Sequence, residues 1–312
     1  MRQAPACRLD LKRKLTTMLS VTPALRLRLP SVYAMIIAVD IGNTNLKCAA
    51  SFDDTESEFR FWTIPTQNSK ENDGLEDFVA EKLLRWGATT DKGRLMPYVH
   101  PKPIHWQMIQ TGKLDWQKLK TEILKIRPKD KFKLVTRRQI PIDIYVDSPD
   151  KVGIDRLLAA YAAVRHYGDS PMLIVDAGSA VTVDIVYDRI FQGGAILPGL
   201  TALANVCPHI SARLPKVLIP EYPASCGAAP PIYPGKNTED AIQCGLYWGT
   251  VGAIRQFYSM TAASPAMTRS KKLRLLVTGG DAEYLLTGLV CVIPRELMSH
   301  HEGLALEGMT LL

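Results

Sequence analysis

The chain has 312 residues, 46% of them hydrophobic and 22% charged, enough for two domains with their own cores and too apolar for a disordered protein. Its formal net charge of +7 gathers at the front: residues 1–34 hold seven bases and one acid, leaving 31 bases and 30 acids for the rest. That near-neutral remainder offers no charge argument for nucleic acid as a partner, and no apolar run nears the roughly 18 residues that span a membrane.

Residues 1–34 are basic, acid-poor and Leu-rich, which imitates a targeting peptide. They lack a continuous apolar stretch of secretory type, and Pro5, Pro23 and Pro30 interrupt them. The expectation is that Met35 is the true start and that 1–34 is a basic extension that is not native, so it is set aside from the fold. The six cysteines (Cys7, Cys48, Cys207, Cys226, Cys244, Cys291) are dispersed, without metal-ligand spacing. Cys48 and Cys244 lie in apolar segments and read as small core residues. A reducing, cytoplasmic location is expected.

Residues 35–47, MIIAVDIGNTNLK, open with a β-branched apolar run of strand length that ends on Asp40. Gly42, Asn43, Thr44 and Asn45 form a polar turn before a more mixed strand begins at Leu46. Two readings stand. One is an ordinary hairpin with an Asn-rich turn. In the other, the turn's amides make an anion-binding nest and Gly42 admits a phosphate, while Asp40 holds a metal-bound water, Thr44 donates a hydroxyl and Lys47 meets a phosphate.

A polar turn is expected at 51–57 and a strand at 58–64. Residues 75–86 carry Leu75, Phe78, Val79, Leu83 and Trp86 at helical spacing. Residues 87–103 read as loop, 114–126 as a helix, 132–135 as a short strand and 140–146 as a further extended segment. Ser148-Pro149 then lead into VGIDRLLAAYAAVRHYG, where Gly153 opens a turn and Asp155 and Arg156 fall at the first turn of a helix. Leu157, Leu158, Tyr161, Ala162 and Val164 suit its packed face. Adjacent helical residues point about 100° apart, so Asp155 and Arg156 need not pair. Alone, they read as an acid at a helix N-terminus with the arginine on the surface.

Residues 172–186, MLIVDAGSAVTVDIV, repeat the opening pattern: Asp176 and Gly178 echo Asp40 and Gly42 at one constant offset of 136 residues. A repeat on this scale favours the phosphate-cradle reading, with two facing hairpins gripping the ends of a triphosphate. Residues 183–187 and 189–195 extend it into a three-strand meander. A helix is expected over 200–214, a long Pro-rich loop over 215–234, and a helix with its body at 241–258. For that last helix Thr238 is the expected cap, and Gly245, Gly249 and Gly252 are spaced for close packing. A strand at 273–277 runs into Thr278-Gly279-Gly280-Asp281 and a helix from Ala282, an arrangement suited to a nucleotide.

The pieces DIGNTNLK (40–47), VGIDR (152–156), DAGSAVTVD (176–184), GGAILPGL (193–200), NTEDAIQCG (237–245) and TGGDA (278–282), in this order and spacing, resemble type III pantothenate kinases. Those enzymes belong to the acetate and sugar kinase, Hsp70 and actin superfamily. The resemblance implies an α/β chain of two duplicated actin-like ATPase (ribonuclease H-like) domains, 35–150 and 151–312, with mixed sheets flanked by helices. It implies phosphorylation of pantothenate by ATP to 4'-phosphopantothenate, the first step of coenzyme A biosynthesis. It also implies Mg²⁺, a monovalent cation (K⁺ or NH₄⁺), and a homodimer with the substrate site near its interface, without nucleic-acid or membrane partners.

Carried over residue by residue, the resemblance makes Asp155 the general base. Asp40 (through water to Mg²⁺), Gly42, Asn43, Thr44 and Lys47 line the first phosphate turn. Asp176 holds the monovalent cation, Gly178 and Ser179 form the second phosphate turn, and Thr278, Gly279 and Gly280 lie near the adenosine. Tyr145, Gly153, Ile154, Asp155 and Arg156 bind pantothenate, with Ser211 reaching it across the dimer. Ser179 and Ser211 stand where the family usually has Thr, and Tyr145 is one residue off the family's spacing. The alternatives are a kinase of another small alcohol and a non-catalytic nucleotide- or pantothenate-binding regulator of the transcriptional accessory-factor kind.

Overall fold

The computed structural model describes residues 35–43, 45–52, 59–65, 83–84, 103–219, 229–264 and 272–312. Two compact units emerge, each carrying one mixed sheet. One unit takes residues 35–142, Asp147–Arg165 and Gly303–Leu312; the other takes Asp143–Val146 and His166–Glu302.

The first sheet contains β1 (Met35–Ile41), β2 (Asn45–Phe52), β3 (Arg60–Pro65), β4 (His105–Gln110) and β5 (Lys131–Leu134), in the order β3-β2-β1-β4-β5. β1, β2 and β3 form an antiparallel meander, while β4 runs parallel to β1 and β5 parallel to β4. Ile37, Val39, Ile41, Leu46, Cys48, Trp106 and Met108 pack with Leu119 and Ile123 of α1 (Trp116–Ile126). Alternate residues point to opposite faces, yet every residue of β1 is buried. The packing of a later helix on this strand contributes to it. α2 (Ile154–Tyr167) places all but its last residues in this unit, and α6 (Leu304–Thr310) packs on β1 and β2.

The second sheet contains β6 (Asp143–Ile144), β7 (Met172–Ala177), β8 (Ala180–Tyr187), β9 (Ile190–Pro198), β10 (Arg274–Thr278) and β11 (Met298–His300), in the order β11-β10-β7-β8-β9-β6. Without the short β6 this is the first sheet again: an antiparallel meander whose first strand is flanked by two parallel strands made later. Among the described residues, this unit holds the helices α3 (Leu200–Ile210), α4 (Thr238–Ala262) and α5 (Ala282–Leu289). Leu173, Val175, Val183, Leu275 and Val277 pack with Tyr247, Val251 and Ile254 of α4 and Leu285 and Leu289 of α5. The repeated topology is the duplicated ribonuclease H-like fold that the sequence implied.

Several local expectations shift. β4 was not foreseen, and the extended segment over 140–146 narrows to Asp143–Ile144. Ser51 belongs to β2 rather than to a turn. The helix expected to reach residue 214 ends at Ile210. Asn237, not Thr238, caps α4, its side chain accepting from the Asp240 amide at 2.8 Å. Gly245, Gly249 and Gly252 lie on the exposed face of α4, where an added Cβ would meet nothing within 4 Å among the described residues. The core face is Cys244, Tyr247, Val251 and Ile254, three or four residues apart. Of the helix expected over 75–86, only Leu83 and Leu84 are described; they are helical and buried, and the loop expected over 87–102 lies outside the described residues.

Candidate functional site

In the first unit, Asp40 stands near the end of β1, only 8% exposed, directly across the hairpin from Lys47. The turn that follows is tight: the Gly42 amide donates to the Asn45 carbonyl at 3.1 Å. Thr44 lies outside the described residues. The loop after β4 closes on this turn. Thr111 Oγ1 donates to Asp40 Oδ1 at 2.8 Å, and the amides of Thr111 and Gly112 both donate to the Ile41 carbonyl, at 3.0 and 2.6 Å. A Cβ at Gly112 would stand 2.2 Å from the Gly42 carbonyl oxygen and 2.7 Å from the Asn43 nitrogen, so a side chain there would displace the turn. Burial first, and the Asp40 charge second, push the Cys48 thiol well above its ordinary range. It stays protonated and acts as core, as its apolar surroundings suggested.

The second unit repeats the arrangement. Asp176 of β7 lies opposite Thr182 on β8 and Thr278 on β10. The Gly178 amide donates to the Ala180 carbonyl at 2.9 Å, and Ser179 is exposed at the tip of the turn. Thr278 is buried, and Gly279 takes a positive φ of 97°, where a Cβ would fall 2.4 Å from Asp176 Oδ1. After Gly280, the Asp281 amide donates to the Ala177 carbonyl at 2.9 Å, and α5 begins. In both sheets the loop after the fourth strand is thus clamped to the carbonyl of the residue that follows the aspartate.

The remaining first-unit candidates lie around the start of α2. Gly153 follows a single 3-10 turn, Pro149–Lys151, and Ile154, Asp155 and Arg156 are half-buried at the helix start. The Asp155 carboxylate folds back over Gly153, so that a Cβ at 153 would lie 2.4 Å from its Oδ1. Arg137 holds the approach to this turn from the end of β5. Its Nε donates to the Val152 carbonyl at 2.7 Å and its Nη1 to the Asp150 carbonyl. The other two substrate candidates belong to the second unit and are exposed. Tyr145 is 77% exposed, its amide donating to the Phe191 carbonyl at 2.8 Å. Ser211 ends α3, and its Oγ accepts from the Arg213 amide at 3.3 Å.

Sequence reasoning missed Thr111, Gly112 and Arg137. For the first two a signal existed: an apolar stretch running into Thr-Gly occurs both at MIQTG and at LLVTGG. Arg137 carries no such mark, because its partners are backbone carbonyls.

A family profile for type III pantothenate kinase matches residues 36–260. A type III pantothenate kinase of Persephonella marina is 33% identical over 156 residues, 48% of this chain and 54% of that protein. The chain thus spans about half the length of that relative. One from Geotalea uraniireducens is 29% identical over 286 residues, 89% of this chain and 97% of that protein. Among solved structures, a conserved member of the Baf family of transcriptional activators from Campylobacter jejuni aligns with a TM-score of 0.48 at 20% identity, over 88% of this chain and 96% of that one. The profile match takes in both Asp-x-Gly turns and the segment from Gly153 to Arg156. It covers well over half of the chain, and on that ground the chain belongs to the type III pantothenate kinase family.

Proposed function

We propose that this protein transfers the γ-phosphoryl group of ATP to the primary hydroxyl of pantothenate, giving 4'-phosphopantothenate and ADP, the first step of coenzyme A biosynthesis. The observation that carries the reading is Asp155: within the matched region, its carboxylate stands at the first turn of α2 with only a glycine beneath it.

Phosphoryl transfer needs positioning and charge balance more than covalent chemistry. Asp155 takes the hydroxyl proton as the pantothenate oxygen bonds to the γ-phosphorus and the bond to the β–γ bridging oxygen breaks. Gly153, Ile154 and Arg156 orient the acceptor, with Tyr145 and Ser211 as further contacts, the latter across a homodimer. Gly42, Asn43, Thr44 and Lys47 hold one part of the phosphate chain; Gly178 and Ser179 hold another. Thr278, Gly279 and Gly280 lie beside the adenosine.

Asp40 presents a buried, hard carboxylate at the phosphate turn, a donor that fits Mg²⁺ held through water. When bound, that ion offsets charge on the phosphates. Asp176, whose Oδ1 is buried, suits a monovalent cation, K⁺ or NH₄⁺. The described cysteines are free thiols, which suits the cytoplasm. No helix among the described residues is long and apolar enough to cross a membrane.

The test is ADP release by the purified protein with pantothenate, against a panel of other small alcohols. Turnover restricted to pantothenate is expected. Preference for another alcohol, or nucleotide binding without turnover, overturns the reading. In the same assay, replacing K⁺ and NH₄⁺ by Na⁺ at fixed ionic strength should lower the rate; an unchanged rate removes Asp176 from its role.

A further inference from the structure

We infer that Thr111 is a positioning residue for Asp40, its hydroxyl holding the carboxylate in the orientation from which the protein engages ATP together with Mg²⁺. The inference rests on the kinase reading above and adds a residue that the family resemblance did not supply.

Three observations converge on it. First, the hydroxyl-to-carboxylate distance is 2.8 Å, against 3.2 Å to the competing Ile41 carbonyl, and a charged oxygen is the stronger acceptor. Second, the backbone that carries the hydroxyl is held in place, because the Thr111 and Gly112 amides are both tied to Ile41 and Gly112 is pressed against the Gly42–Asn43 peptide. Third, the second sheet has the same loop closure but places a glycine against its aspartate, Gly279 against Asp176. The turn at which Thr111 meets the aspartate is the one proposed to meet the metal-bound nucleotide. Asp40 is 8% exposed, so a carboxylate released by Thr111 would gain little from water in exchange.

A purely structural staple joining β1 to β4 would show the same contact, so the experiment must separate the two roles. In an Asp155→Asn background, which suppresses turnover, and without pantothenate, ATP affinity is measured by calorimetry with Mg²⁺ and again with EDTA, for Thr111→Val and Thr111→Ser. Losing a hydrogen bond to a charged group is expected to weaken binding about tenfold, with Mg²⁺ only. Thr111→Ser should restore it, and adding Thr111→Val to Asp40→Asn should cost nothing further. Equal weakening with and without Mg²⁺, or no weakening, overturns the inference. If Thr111→Val does not fold, Thr111→Ala takes its place under the same criteria. A wild-type protein that binds ATP without phosphorylating pantothenate overturns the kinase reading and leaves this inference measurable. An unaltered Mg²⁺ dependence does the reverse.

Discussion

Asp155 is shaped by a missing atom. Gly153 has no Cβ, and the carboxylate occupies the space where one would be, 2.4 Å away. An alanine there must push the carboxylate aside, and displacements of about 1 Å at a reacting group cost roughly 100-fold. Gly153→Ala is therefore expected to lower kcat/KM for pantothenate on that order while melting within a few degrees of wild type. Asp155→Asn should lose about 10²–10⁴-fold, the usual contribution of a general base, and keep its ATP affinity. Steady-state kinetics and thermal melting check both; a fully active Gly153→Ala protein would show that the carboxylate need not stand where it does. Asp40 and Asp176 stood out in the sequence because each ends an apolar run, whereas Asp155 was singled out only by the family resemblance. Thr111 was overlooked despite its Thr-Gly echo at 278–279, because the meaning of that echo depends on which strand lies beside β1.

That strand is the clearest case of structure hidden from sequence. A parallel strand with neighbours on both sides usually reads as an unbroken apolar run, but β4 is HWQMIQ, with His105, Gln107 and Gln110 interrupting it. Its seat is secured by Asp130, a buried carboxylate just before β5. Asp130 accepts from the Ile104 amide at 3.0 Å, from Trp106 Nε1 at 2.9 Å and from Arg127 Nε at 2.8 Å. Asp130→Ala strands two buried donors and an arginine at once, and a loss of about 3 kcal/mol is expected. Urea unfolding measures it; a loss below about 1 kcal/mol would mean that water replaces the carboxylate. Helix α1 and strand β5, in contrast, were placed from periodicity to within two residues, because one face of each is plainly apolar.

At the level of the molecule, the duplication was readable because its two turns repeat at a fixed offset, but the interleaving of the units was not. The chain passes from one unit to the other inside α2, after Arg165, and periodicity does not mark such a crossing. The near-neutral sum beyond residue 34 also hides an uneven distribution: residues 113–138 carry ten bases and three acids. Exposed apolar side chains are uneven too. Ile196, Val206, Ile210, Ile232 and Tyr233, each at least half exposed, all belong to the second unit. Exposed apolar groups in such number favour association, and a dimer mass by light scattering is expected. Ile210→Lys should shift that mass toward the monomer. A wild-type monomer at micromolar concentration would remove the homodimer, and with it the role of Ser211.

Helix α6 packs on β1, which precedes it by most of the chain. The ribosome therefore releases β1 long before the residues that cover it exist, whereas the second unit is complete in sequence at Glu302. Domains fold as units during synthesis, so the unit that contains β1 waits for residues 303–312. Chains stalled on the ribosome after residue 302 should protect the amides of β7 and β10 from exchange and leave those of β1 open. Protection of β1 in such chains would refute this order. On this account residues 303–312 act as a clasp, and the turn at Asp40 settles only once they have been made.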